Sequence, residues 1–572
     1  MSLSHLTPRK VPTAVPASHL FASRAGAWTE TVASRLPKPK TAEQLYHDLL
    51  AAYVPPALPF TAAPPALREA ADDELVFLDG LPRGGGAVTT FNTAQQQAID
   101  LIDQLQHEIS YTGAPTTVAV TGAAGTGKTA IVPESVSRAK AAGFAAVVLS
   151  PTHRVVSVNA SRLAAHNLPD VPVGTIHAAI GLRDISEGEG PLDFQPVGDA
   201  SLPAGKCVCF VDESGMVPPG LWRLLVSRLK DTGSVIVALG DLQQVPFIGA
   251  DPGQVSPSLD SCIHQVNLTE PMRAGGLIYQ AAQMILEAGD RYLGAIGWVN
   301  EADETTRIHA YETKAELEAA FLARVAVHAE LGLADKIRFI VATNEEVDRL
   351  GDLAHAIQFG LDADAFVPGE TLLTRAPAFA HDATCISKRK PGEEPERPVL
   401  GTSAEITVLD ADLDIGHRFP GMQSRPFPVW TVTVRDDHTG DVCQILALDP
   451  CARKPVAALQ KQLADLGNKL PKGSKAKVPV PLLGDQELER GQIWWRYWVI
   501  EKLVGHRAHP RSVSTVHRAQ GGEWPVLFVD RPGIEAAKQW GRRNDAALAR
   551  RMLYTGVTRC RGSLHLLGRD PA

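Results

Sequence analysis

The stretch Val118-Ala-Val-Thr-Gly-Ala-Ala-Gly-Thr-Gly-Lys-Thr129 constrains this chain more than any other. An apolar run of strand character leads directly into Gly-x-x-x-x-Gly-Lys-Thr, with Gly122, Gly127, Lys128 and Thr129 at the fixed positions and Gly125 between them. Glycines let such a loop turn its backbone N–H groups inward onto phosphate oxygens; the lysine reaches the β- and γ-phosphates, and the following hydroxyl can ligate Mg²⁺. Lys128 to Ala142 has helix-forming character, so a helix N-terminus is expected to face the phosphates. The segment predicts a strand, loop and helix that together cradle a nucleotide.

A chain of 572 residues exceeds one hydrophobic core, and at roughly 100–200 residues per domain it predicts three or four units. Apolar residues at 44% and charged residues at 21% are those of a globular protein, and no uninterrupted apolar run of ~18 residues could span a bilayer. Val11 to Ala25 is broken by prolines and polar residues, which makes it a poor secretory segment. Seven cysteines without a Cys-x-x-Cys pair predict neither a zinc site nor a disulfide framework, and fit a reducing cytoplasm. With a net charge of −8, contact with nucleic acid has to come from local basic patches.

Residues 1 to about 85 are rich in Pro and Ala around one helix-compatible stretch, Thr41 to Ala52; an extended arm with a short helix and a disordered leader both remain open. Phe91-Asn-Thr-Ala-Gln95 opens a helix that Asn92 or Thr93 can cap. Beyond the loop, strand patterns at 145–150, 207–211 and 234–239 alternate with helical ones, which predicts a parallel α/β sheet. The 207–211 strand ends in Asp212-Glu213, at the carboxyl edge where such sheets place ligands. Asp212 suits Mg²⁺ held partly through water, and Glu213 suits deprotonating an attacking water. Residues 182–206 read as an inserted hairpin whose Phe194 either presents outward or packs back on its own domain. A second α/β unit follows Leu268, with helices at 277–288 and 315–331 and a strand at 337–342 leading to Thr343-Asn344. Residues 400–448 are all β and read as a small inserted barrel. Seven basic residues between Arg453 and Lys477 precede Ile493-Trp-Trp-Arg-Tyr-Trp498, which is either a path for a single strand or a solvated face beside an aromatic helix packed in a core.

Taken together, these stretches resemble the motif set of the superfamily 1 helicases, most closely the RecD-like group that includes the phage Dda helicases. Phe91 to Gln95 resembles the adenine-reading motif, with Gln95 on the base, and Asp212-Glu-Ser214 the acidic motif. Gly240-Asp-Leu-Gln-Gln244 fits Gly-Asp-x-x-Gln, with Gln244 as γ-phosphate sensor, and Leu268 to Arg273 fits Leu-Thr-x-x-x-Arg. Ser514 to Glu523 resembles the motif coupling DNA to nucleotide, which includes Gly521 and Glu523, and Tyr554 to Arg561 the closing arginine motif with Arg559. Pro151, Thr152, His153, Thr175 and His177 on the first domain, and Thr343, Asn344, Thr515 and His517 on the second, fall in or beside motifs that touch the DNA strand, although each lone histidine also reads as a packed or capping residue.

The resemblance implies two RecA-like domains, 86–268 and 269–395 with 500–572, a pin in the first and an SH3-like barrel with the basic and aromatic segment at 396–499. It also implies ATP and Mg²⁺ as cofactors, catalysis by Lys128, Glu213, Gln244, Arg273 and Arg559, and 5′ to 3′ movement on single-stranded DNA with unwinding at a duplex junction. The expected setting is a monomer in bacterial or phage-infected cytoplasm, with replication or single-strand-binding proteins as partners and no membrane. A nucleotide-gated remodelling translocase without processive unwinding is the alternative. A metabolic kinase explains neither the second sheet nor Arg559.

Overall fold

The computed structural model describes residues 42–52, 63–79, 90–107, 113–184, 194–195, 200–251, 253–272, 276–289, 296–380, 398–422, 426–504, 508–536 and 545–568. Its first sheet is built from β1 (Thr116–Gly122), β2 (Ala145–Ser150), β3 (Val173–Thr175), β6 (Cys207–Val211), β7 (Val235–Gly240) and β8 (His264–Leu268). All neighbours pair in parallel, in the order β3-β2-β6-β7-β1-β8. Both faces are covered, which is why the inner strands β2, β6 and β7 are near-continuous apolar runs, whereas the edge strand β8 alternates. Val118, Val120, Val148, Val208 and Phe210 face the helices Thr93–His107 and Ile131–Ala141, while Ala119, Val147, Leu149, Cys207 and Cys209 face the helix Pro219–Arg228. Because β6, β7 and β1 are consecutive in the sheet, the loops after them, carrying Asp212-Glu213, Asp241 to Gln244 and the glycine-rich turn, adjoin at one carboxyl edge. The backbone of β4 (Arg183–Asp184) pairs antiparallel with β5 (Phe194–Gln195), as a hairpin requires; the Phe194 side chain lies outside what is described.

The second sheet contains β9 (Glu301–Ala302), β10 (Arg307–Tyr311), β11 (Ile337–Val341), β19 (Val513–Thr515), β20 (Trp524–Val529) and β21 (Cys560–Leu567), in the order β19-β11-β20-β21-β10-β9. It is parallel except for β9. Two RecA-like α/β domains are therefore present. Between the strands of the second lies an antiparallel sheet of β12 (Thr371–Leu373), β13 (Glu405–His417), β14 (Phe427–Asp436), β15 (Val442–Leu448) and β18 (His509–Pro510), in the open order β15-β14-β13-β12-β18. No pairing joins β15 to β18 among the described residues, whose strands form an open sheet. It also recruits strands on either side of the expected 396–499 insert. The basic stretch is part of a helical hairpin whose rings are buried or half-buried. The helix Pro450–Lys469 packs on Arg490–Val504, with β16 (Lys477–Val480) and β17 (Gln486–Glu489) forming a small hairpin between them. Trp494 is buried against Gly467, and Trp495 and Tyr497 pack on a core of Leu459, Leu463, Ile493, Val499, Ile500 and Leu503, since an indole's large apolar area favours burial.

The amino-terminal arm departs most from expectation. Besides the predicted helix, Ala42–Ala52, it holds a second, Pro65–Asp79, and both are docked. The first packs on β13, β14 and the Pro450–Lys469 helix; the second lies along the helix Lys314–Glu330, with Leu67 and Leu78 against the second RecA-like core. Glu74, 1% exposed, accepts from Arg324 Nε at 2.5 Å and from His565 Nε2 at 2.8 Å, while the Tyr311 hydroxyl donates to His565 Nδ1 at 3.0 Å. The Pro and Ala content conceals an amphipathic face whose one charged member brings its partners with it. No helix of the described residues is long and apolar enough to cross a membrane.

Candidate nucleotide site and interdomain groove

Gly127 has φ +77°, and a Cβ there would collide with the Gln95 side chain, so only glycine fits both the turn and its neighbour. The loop then enters a short 3₁₀ turn, Lys128–Ala130, before the helix Ile131–Ala141, so the expected helix begins one turn late. Gln95 is fully buried: its Oε1 accepts from Asn92 N at 3.1 Å while Asn92 Oδ1 accepts from Gln95 N at 2.9 Å, a reciprocal cap, and its Nε2 donates to the carbonyls of Thr126 (3.3 Å) and Gly127 (3.4 Å). The residue assigned to the base thus braces the phosphate loop from behind. Lys128 Nζ donates to Gly122 O at 2.7 Å and Ala123 O at 2.9 Å. Burial lowers its pKa despite the nearby carboxylates Asp241, Glu213 and Asp212.

Asp212 is fixed on both oxygens: Oδ1 accepts from Glu213 N at 2.9 Å, and Oδ2 from Asn159 Nδ2 at 3.0 Å. Glu213 occupies the left-handed region at φ 52°, which a non-glycine residue adopts at a cost of roughly 1–3 kcal/mol and which clusters at functional sites. Burial pushes its carboxyl up, Arg559 opposes that, and Asp212 adds to it. Arg559 crosses from the second domain: its Nη1 is 3.7 Å from Glu213 Oε1. With its amide oriented to satisfy both neighbours, Gln244 donates to Glu213 Oε2 at 3.2 Å and accepts from Arg559 Nη2 at 2.8 Å. Lys128, Glu213, Gln244 and Arg559 are thereby brought together, with Asp212 beside them. Arg273 lies outside the described residues. Glu523 pairs with Arg561, and Gly521, φ +77°, packs so closely on Val155 of the first domain that a Cβ there would clash. Thr129 and Asp212 supply the hydroxyl and oriented carboxylate that a hard divalent cation prefers. Elsewhere, Glu74, His309 and His565 place ligand-type atoms within 4.8 Å of one another. Arg324 already holds that carboxylate, and both ring nitrogens of His565 are engaged, Nε2 with Glu74 and Nδ1 with the Tyr311 hydroxyl, so the group is a buried hydrogen-bonded ion-pair network.

A groove of about 700 Å³ runs between the two domains, lined by Thr152, Thr343, Asn344, Thr515 and His517 together with Arg154, Phe247, Arg375, Ser403 and Arg518. The second set was not singled out in the sequence. Arg518 lies inside a quoted motif and Phe247 follows one, whereas Arg375 has no local signal. Burial and the neighbouring Arg375 hold Arg518 down to about 10. Thr343 and Thr175 spend their hydroxyls on helix caps, to Glu346 N (3.1 Å) and Ala178 N (3.2 Å). His153 packs under Gly401, and His153 and His177 both have their pKa lowered by burial. Both side chains keep an exposed edge, so they stand at the surface of the first domain.

Residues 102–313 match the model of an AAA domain, and residues 512–567 that of the UvrD-like helicase C-terminal domain. No curated protein matches this chain in sequence. Among solved structures, the chain is similar to the Pif1 helicase from Bacteroides in complex with ADP-AlF3 and ssDNA, at 13% identity over 83% of this chain and 92% of that one, with a TM-score of 0.40. It is also similar to the Pif1 helicase from Candida albicans, at 11% identity over 84% and 95% of the two chains, with a TM-score of 0.36.

Proposed function

We propose that this chain, whose residues 102–313 match an AAA domain and 512–567 a UvrD-like helicase C-terminal domain, is a superfamily 1 helicase: an ATP- and Mg²⁺-dependent DNA helicase moving 5′ to 3′ on a single strand and unwinding duplex ahead of it. The observation that carries this reading is Arg559, which reaches Glu213 and Gln244 across the domain boundary. Phosphoryl transfer is catalysed by positioning and by neutralising charge on the transferring group, and a well-placed arginine contributes roughly 10³–10⁵ in rate. Lys128 would hold the β- and γ-phosphates, Glu213 would orient and deprotonate the attacking water, and Gln244 would sense the γ-phosphate. Mg²⁺, held by Thr129 and Asp212, would neutralise phosphate charge. Arg273 would add a second cation, and Gln95, Gly521 and Glu523 would complete the nucleotide surroundings. A site assembled from both domains favours closure when ATP binds and releases it after hydrolysis, provided the two states bind nucleotide differently.

The groove lies between the same two domains, so closure changes the spacing of its two walls. Arg518 on the groove wall would meet phosphates, while Arg154 and Arg375 are held by Glu405 and Asp348 and Phe247 is buried in the wall, so contacts would go to the strand's backbone and would not read its sequence. Phe194, on the hairpin, is proposed to meet the duplex junction. The test is strand separation on partial duplexes carrying a 5′ or a 3′ single-stranded tail. ATP-dependent unwinding with the 5′ tail alone is expected; unwinding that needs a 3′ tail contradicts the polarity. DNA-stimulated hydrolysis without strand separation would indicate the remodelling translocase instead.

A further inference from the structure

Tyr554 opens the closing arginine motif, and neither the motif reading nor the proposed mechanism gives it work. It stands in the Ala546–Val557 helix of the second domain, 1% exposed, yet its hydroxyl sits in the first. There it accepts from the backbone N–H of Ala124, inside the glycine-rich loop, at 3.0 Å and donates to Asp241 Oδ2 at 2.9 Å. Asp241 in turn orders the segment carrying Gln244, accepting from Gln243 N at 2.8 Å through Oδ1 and from Gln244 N at 3.3 Å through its carbonyl. The next residue, Thr555, repeats the pattern: its Oγ1 accepts from Val245 N at 3.0 Å, and its carbonyl accepts from Arg559 Nε at 3.2 Å. Burial and Asp241 both raise the phenol's pKa, so it stays a neutral donor.

We propose that Tyr554, with Thr555, is a positioning clamp: it locks the phosphate loop and the Gln244 segment to the end of the helix that presents Arg559, so that the arginine reaches the γ-phosphate only when the loop is in its binding conformation. The inference deepens the ATPase reading and rests on it. Arg559 lies five residues beyond Tyr554, just past the helix end, and a guanidinium on a long side chain loses rotamer freedom when it is held, so a fixed base is needed for its tip to act. Two adjacent residues of one domain bonded to three residues on two segments of the other, Ala124 in the loop and Asp241 and Val245 around Gln244, supply that base. The hydroxyl also makes the clamp conditional. If the loop shifts, Ala124 N–H loses the Tyr554 oxygen as its acceptor, and if the helix end shifts, Asp241 Oδ2 loses the hydroxyl as its donor; either leaves an unmet bond in a dry interface.

The test is the variant Tyr554→Phe, which keeps the buried ring and removes only the oxygen, assayed for DNA-stimulated ATP hydrolysis alone and combined with Arg559→Ala. Losing a buried hydrogen bond to a carboxylate predicts a fall of about tenfold in kcat with KM for ATP within about twofold. Because Tyr554 acts through Arg559, adding Tyr554→Phe to Arg559→Ala should change kcat little further. Thr555→Val should move kcat in the same direction by less. A Tyr554→Phe protein with wild-type kcat, or one losing the same factor in both arginine backgrounds, overturns the clamp. Turnover in the wild type that is lost in Lys128→Ala but unchanged in Tyr554→Phe defeats the clamp alone; no turnover in the wild type defeats the ATPase reading with it.

Discussion

Glu213 and Glu74 are both carboxylates drawn out of water to face an arginine from another part of the chain, and their environments push them in opposite directions. Glu74 is held at 2.5 Å by Arg324 and at 2.8 Å by His565; burial, the largest single influence, works to raise its pKa, but the combined pull of its partners takes it well below the usual carboxylate range. Glu213 stands 3.7 Å from Arg559, beside Asp212, on a left-handed backbone, and its pKa goes up. The first pair is satisfied and static, so it ties the arm to the second domain. The second is left partly unmet, which suits a base that has to take a proton and an arginine that has to let go.

The comparison predicts separable phenotypes. Arg559→Ala should cost roughly 10³-fold or more in ATP turnover while moving unfolding stability by no more than about 1 kcal/mol, read by steady-state hydrolysis and a urea melt. Equal losses of activity and stability would erase the distinction. Glu74→Ala leaves Arg324 buried and unpaired and should lower stability by about 3–5 kcal/mol, with turnover per folded molecule within about twofold at low temperature. A strong turnover defect in that variant, still folded, would instead make the arm part of the motor. Asn159→Ala, which frees one oxygen of Asp212, should raise the Mg²⁺ concentration needed for half-maximal turnover by about tenfold with little change in melting.

Acidity should separate the two regions as well. Burial takes His565 down to about 3, and it also lowers His309, His328 and His509, so these imidazoles are neutral in the folded protein. The unfolded chain binds protons on them from an ordinary value near 6.5 downward, so stability should be complete above that value and be lost as pH falls from there toward 3. At the catalytic edge the sign concerns rate: Glu213 acts deprotonated, and its raised pKa should place the acid limb of kcat above the range of an ordinary glutamate. Melting temperature and kcat followed over the same pH series measure both.

Residues that announce themselves locally were legible in the sequence. The strand at 207–211 lies where its apolar run ends in two acids, and the glycines of the phosphate loop occupy turns that need them, because both depend on neighbours in the chain. The second helix of the arm was missed, since its partners, Arg324 and His565, lie about 250 and 490 residues away. Trp494 was ambiguous because buried and base-stacking tryptophans look alike until the opposing helix, with Gly467, is placed. Arg375 carries no motif at all, and Arg154 only follows one. Arg154 reads only in three dimensions, donating to Glu405 at 2.7 Å and lying 4.7 Å from the Trp524 ring.

The most direct test of the central claim, that the second domain completes the nucleotide site so that a bound strand governs hydrolysis, is a titration of single-stranded DNA into wild-type and Arg559→Ala protein with ATP turnover and DNA binding followed together. The predicted result is turnover that rises with DNA in the wild type, and DNA binding without turnover in the variant. Equal turnover in the two proteins, indifferent to DNA, would contradict it.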